Sequence, residues 1–135
     1  MTSETSLNTV AIFPAARICV IDYSKVGNFL EFLPGEVFLQ SMAGQLKKLD
    51  SYNEEFNGYK ADGVIRVNGI KKLEIVLFET SGGIQGGTDR KKTFDFHKGM
   101  FGLVSMMKAL ADTYQYATYK SICNVKLYFV HVHGS

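Results

Sequence analysis

ADGVIRVNGIKKLEIVLFETSGG, residues 61–83, holds two runs rich in β-branched residues on either side of an Asn68-Gly69 turn signal. Such runs suit a pleated, half-buried surface, so the segment predicts a β-hairpin with strands over 63–67 and 73–79. Acidic residues stand near its outer ends, Asp62 and Glu79, and the register decides whether they meet. A two-residue turn, the kind hairpins prefer, puts Asp62 opposite Ile75 and leaves Glu79 on the order of 13 Å further along. A longer loop over 68–72 puts Asp62 opposite Glu79, Val64 opposite Leu77 and Arg66 opposite Ile75. The polar excursion NGIKK between two apolar runs favours that longer loop. The two carboxylates could then share a divalent cation, because like charges at that distance repel unless something positive lies between them. Another acid in the second strand, Glu74, has the wrong parity to share a face with Asp62.

The flanking sequence points to an α/β chain. Residues 1–10 are polar and expected to be flexible. VAIFPAARICVIDY, 10–23, mixes β-branched and aromatic residues around Pro14 and predicts one or two short strands. FLPGEVFLQSMAGQLKKLD, 32–50, predicts a helix over 35–49 that begins near Pro34, with Glu36 at the positive end of its dipole. Val37, Phe38, Met42, Leu46 and Leu49 recur there at helical spacing. A short strand is expected around 56–60. SGGIQGGTDRKK, 81–92, has four glycines within 81–87 and predicts a mobile connection. Phe96, Met100, Leu103, Met107, Leu110 and Tyr114 step by four and three, which predicts a helix over 93–114 whose apolar stripe faces the core. Its methionines would also suit a partner surface. Alternating residues over 124–133 predict a last strand, and an uncovered terminal strand is expected of a piece of a longer protein. The sum is a single α/β domain over 1–135, a mixed central β-sheet flanked by helices.

Composition sets bounds on function. The chain has 135 residues, 46% hydrophobic, enough for one ordinary core. No apolar run approaches the roughly 18 residues of a bilayer span, so no membrane partner is expected. The first ten residues lack the basic and apolar pattern of a secretory signal, and two cysteines, Cys19 and Cys123, make no disulfide framework. Both read as small core residues in an intracellular, reducing setting, cytoplasm or nucleus. Net charge is +2 but unevenly placed: residues 61–135 hold 10 Lys/Arg against 6 Asp/Glu, and residues 1–60 hold 5 against 7. That tilt is compatible with a nucleic-acid partner, though it falls short of the basic stripe of a dedicated binder.

Other motifs carry less. GGIQGGT lacks the lysine of a phosphate-binding P-loop. DRKK at 89–92 suits either a nucleic-acid backbone or a solvated helix entrance. His131 and His133 share a strand face as a metal pair would, but no third ligand is apparent in the sequence.

KADGV at 60–64, LEIVLFETSGG at 73–83 and DFHKG at 95–99 together resemble the PD-(D/E)XK nuclease-like superfamily. Its plan is an Asp opening the second strand of a hairpin, a strand ending in Glu, and a following helix. The resemblance covers roughly 35–133 and is closest to fungal members with ADG, E-T/C-S-G-G and D-x-x-K segments. It implies a restriction-endonuclease-like core and hydrolysis of nucleic-acid phosphodiester bonds with magnesium or manganese, Asp62 and Glu79 holding the metal. The lysine usual two positions after the glutamate is here Ser81. By resemblance its role passes to Lys98, or second to Lys92, on the next helix, and Glu36 corresponds to an additional ligand of some members. Many enzymes of this fold form homodimers. With the lysine displaced, the resemblance also admits an inactive module that keeps the fold and binds nucleic acid or protein.

Overall fold

The computed structural model describes residues 8–24, 30–69, 71–82 and 88–133. The hairpin is its centre: β2 (Lys60–Val67) and β3 (Glu74–Ser81) run antiparallel. Gly63 lies opposite Phe78, Val64 opposite Leu77 and Ile65 opposite Val76, which is the longer-loop register. It then slips by one residue, and Arg66 faces Glu74 rather than Ile75. The extra residue is a bulge, and it reverses the parity of everything before it on β3. Ile75 and Val76 consequently pack into the same apolar cluster, and Glu74 turns to the opposite side of the sheet. The parity argument against Glu74 therefore does not hold.

β1 (Leu30–Phe38) adds antiparallel to β2, and β4 (Tyr128–His133) adds parallel to β3, giving a four-stranded mixed sheet in the order β1-β2-β3-β4. Residues 30–38 were expected to include the start of a helix at Pro34. Instead Pro34 lies in an edge strand, where a missing N–H costs least, and the β1–β2 register shifts between Pro34 and Val37. Gly35, at φ +87°, provides the positive backbone angle at that bulge. The helix that follows, α2 (Gln40–Lys48), is correspondingly short.

One face of the sheet is covered by α1 (Phe13–Ser24), entered through a π-helical turn, Asn8–Ile12. This helical segment replaces the expected strands of 10–23. Its β-branched residues favour strands locally, but the apolar surface of Ile65, Phe78 and Val130 needs a cover, and Ala16 packs there. Asn8 is buried, its side chain accepting a hydrogen bond from Thr80 Oγ1 at 2.7 Å, so the expected flexible start does not extend through this residue. Residues 1–7 and the glycine-rich 83–87 lie outside the described residues. Cys19 and Cys123 are both exposed, not core residues.

The other face carries α2 and the long α4 (Asp89–Thr113), capped by Thr88. α4 begins four residues before its expected start. The first two residues of the strand expected at 56–60 belong instead to a single helical turn, α3 (Glu54–Asn57), and Lys60 opens β2. Another turn, α5 (Tyr119–Cys123), precedes the last strand, which begins at Tyr128 and not at 124. The main correction concerns which side of α4 is inside. Asp95, Gly99, Gly102, Ser105, Met106 and Leu110 are buried. Phe96, Met100 and Met107 of the expected core stripe are exposed, as are Phe94 and Phe101. Close approach is the cause. A Cβ on Gly99 would lie 2.1 Å from the Phe129 ring, and one on Gly102 2.5 Å from Leu77 Cδ2. At Gly99 and Gly102 the helix lies so near the sheet that small residues must face it, and Phe94, Phe96, Met100 and Phe101 are turned outward, while Met106 and Leu110 further along reach the core.

Candidate functional site

The β3–β4 pairing is parallel, so both strands end on the same side of the sheet, where the antiparallel β2 begins and α4 returns. Asp62 stands one residue before Gly63, the first residue of β2 paired with β3. Its carboxylate accepts the Thr80 N–H at 2.6 Å, extending the ladder with a side chain. Glu79 is buried and points toward α4. It accepts the Tyr59 hydroxyl at 2.7 Å and the Lys98 ammonium at 3.0 Å to Oε1 and 3.2 Å to Oε2. Lys98 also donates to the Lys60 carbonyl at 2.6 Å and lies 4.6 Å from the centre of the Tyr59 ring. The expected lysine from the next helix is therefore in contact with the expected glutamate.

Ser81, at the position where the resemblance would have a lysine, is fully buried and bonds to Asp95 Oδ2 at 2.7 Å and His131 Nε2 at 2.6 Å. Lys91 ion-pairs with Asp95 at 3.3 Å and donates to the Thr80 carbonyl at 3.2 Å. Among the described residues, three carboxylates, Asp62, Glu79 and Asp95, thus meet two ammonium groups, Lys91 and Lys98. Burial, the largest influence, pushes Glu79 up to about 7. Lys98 and the Tyr59 hydrogen bond oppose that shift, and the Asp62 charge adds to it. The Tyr59 phenol is driven well above its ordinary value by burial and then by the Glu79 charge. His131 is lowered by burial and by His133 and Lys91, with Asp95 opposing.

Two expected residues stand apart. Lys92 makes no contact with this network among the described residues. Glu36 is on the β1 bulge, not on a helix, and forms an exposed ion pair with Lys60 at 3.5 Å. Among the described residues no three His, Cys, Asp or Glu side chains form a group that could hold a metal ion. Sequence reasoning missed Tyr59, Lys91 and the joining of Asp95, Ser81 and His131. One signal was there to read: Lys91, Asp95, Lys98 and Gly102 are spaced four, three and four apart, a polar and small stripe along α4. Among the described residues no helix is long and apolar enough to cross a membrane. Comparison of the chain with protein-family models, curated proteins and solved structures finds no match.

Proposed function

We propose that this end of the sheet is the site of a metal-dependent phosphodiester hydrolase acting on nucleic acid. The observation that carries the reading is the contact of Lys98 with Glu79, since it supplies from α4 the cation that Ser81 cannot provide. The charge balance supports it further. A carboxylate that burial pushes up to about 7, with the Asp62 charge beside it, is one whose ionised form a divalent cation would stabilise. Asp62 and Glu79 would hold magnesium or manganese, and the ion would polarise a phosphoryl oxygen and lower the pKa of bound water. Lys98 neutralises and orients Glu79 and faces the phosphate, while Lys91 holds Asp95 and the Thr80 carbonyl in place. A depression of about 320 Å³ adjoins Lys98, lined by Met42, Tyr59, Phe94, His97 and Phe101. Aromatic side chains beside a cation suit stacked bases of a single strand.

The test is a calorimetric titration with magnesium and manganese, paired with cleavage of labelled DNA and RNA. Wild type should bind and cleave; Asp62→Ala and Glu79→Ala should lose both. Lys98→Met should retain metal binding and lose at least about 100-fold in kcat. Absence of cleavage by wild type with either metal would overturn the reading.

A second reading has its own support: both oxygens of Glu79 are already engaged, by Tyr59 and Lys98. A self-satisfied network of this kind suits an inactive module that binds nucleic acid, or a protein through the exposed apolar side of α4. It predicts salt-sensitive nucleic-acid binding that survives Asp62→Ala and Glu79→Ala without cleavage, or, for a protein partner, no such binding.

A further inference from the structure

Ser81 has one proton to give and two neighbours competing for it. Lys91 Nζ lies 3.3 Å from the same Asp95 oxygen that Ser81 contacts, which holds Asp95 as a carboxylate, an acceptor only. The Ser81 hydroxyl must therefore donate to Asp95, and its oxygen then accepts a hydrogen bond from His131 Nε2–H. A neutral imidazole carries one ring proton, so Nδ1 is left with a bare lone pair. That nitrogen makes no hydrogen bond among the described residues. The ring is also held by packing: it stacks on Phe129 with centroids 5.6 Å apart and meets the His133 ring edge-on at 5.2 Å. His131 lies beside Glu79 in the β3–β4 pairing, so its ring belongs to the same end of the sheet. The same accounting argues against Ser81 as a nucleophile. Its proton goes to the acid and not to the histidine, and its side chain is fully enclosed.

We propose that His131 is the proton acceptor of this site, fixed in its Nε2–H form by Ser81 and Asp95 as positioning residues. The inference rests on the hydrolase reading. In the step, the oxygen of water bonds to phosphorus and its proton passes to His131 Nδ1. The phosphorus–oxygen bond to the leaving group breaks, its electron pair goes to the leaving oxygen, and that oxygen takes a proton from solvent. The imidazolium is stabilised through Ser81 by the Asp95 carboxylate, and it returns its proton to solvent to close the cycle.

Two readouts separate this inference from the reading beneath it. The full chain, labelled with ¹⁵N at histidine, is examined by long-range proton–nitrogen correlation at a pH where the ring is neutral. His131 should show a protonated Nε2 and an unprotonated Nδ1, and Ser81→Ala should release the lock and populate both tautomers. His131→Gln, which keeps a donor for Ser81 but offers no base, should lose about 100-fold in kcat on a labelled oligonucleotide with KM and magnesium affinity unchanged. A protonated Nδ1 in wild type overturns the inference while leaving the hydrolase reading intact. A His131→Gln enzyme that cleaves at the wild-type rate does the same. Absence of cleavage by wild type removes the hydrolase reading and the base role together.

Discussion

β3 carries two buried glutamates near its opposite ends, both directed to the side covered by α2 and α4, and their surroundings differ in kind. Glu74 receives three hydrogen bonds: the N–H groups of Gln40 and Ser41, at 3.0 and 2.7 Å, and the Ser41 hydroxyl. Those two N–H groups open α2, whose preceding residue, Leu39, offers no side-chain cap. Glu74 is thus the cap of α2, supplied from a neighbouring strand, and it satisfies donors that nothing else would. Glu79 receives a phenol and an ammonium but lies beside Asp62, and burial raises it to about 7. A carboxylate that completes a helix end stabilises the fold. One whose charge remains costly is a different kind of residue, and such residues cluster at functional sites.

The largest expected effect falls on Glu74. Glu74→Ala leaves a buried N–H, that of Ser41, a part-buried one, that of Gln40, and the Ser41 hydroxyl without their acceptor, and should cost about 4 kcal/mol in urea unfolding. Any variant material that folds should bind magnesium as wild type does. Glu79→Ala should show the reverse pattern, and equal losses of stability in the two variants would erase the distinction.

Next in size is the pH dependence of stability. Glu79 in the fold titrates near 7, above the 4.5 of an ordinary glutamate, so the unfolded chain releases this proton first. Its contribution is fully present below about pH 4.5 and is lost as pH rises through about 7, on the order of 3 kcal/mol in all. Glu79→Gln cannot ionise and should remove this slope. The difference between wild type and variant isolates the residue from the opposing trend of His131, whose lowered value favours the fold as pH rises.

Lys98→Met probes the same carboxylate from the other side. The ammonium is about one-quarter exposed, so the loss should be near 2 kcal/mol at alkaline pH and smaller at acid pH, where Glu79 is neutral. Equal losses at both pH values would mean that the lysine acts through its bonds to the Lys60 carbonyl and the Tyr59 ring alone.

How much of this contrast could be read from the chain depends on range. The β-branched runs of the hairpin specify their own pairing, the meeting of the Asp62 and Glu79 ends follows from that register, and Lys98 was singled out only by the family resemblance. Glu74 was misjudged because one inserted residue at Ile75 reverses the parity of the strand, and no local feature of EIVLFE announces a bulge. α1 was misjudged because its helicity depends on the apolar sheet face it covers, which lies far away in sequence. The inside of α4 was misjudged in part: Leu103 and Leu110 of the expected stripe do face the core, but Phe96, Met100 and Met107 do not. Periodicity assumes that large residues go inward, whereas two glycines and a close sheet put small residues there. Ser81, Asp95 and His131 come from three separate elements, so their meeting is a property of the sheet and not of any motif.

The smallest effect gives the finest test of the comparison, because it removes one donor from each glutamate. Ser41→Ala deletes the hydroxyl that Glu74 accepts and leaves both helix N–H groups in place, so it should cost about 1 kcal/mol. Tyr59→Phe deletes the phenol that Glu79 accepts at 2.7 Å and should cost a similar amount, but mainly above pH 7. Below that pH Glu79 is neutral, and a neutral carboxyl is the weaker acceptor. The Tyr59 bond holds Glu79 down, so its loss should also move the titration of that residue further up, readable by carbon NMR of the carboxylate. A Tyr59→Phe protein whose Glu79 titrates where it does in wild type would show that burial and Lys98 alone set its charge. Glu79 would then differ from Glu74 by its counter-charge and not by its hydrogen bonds.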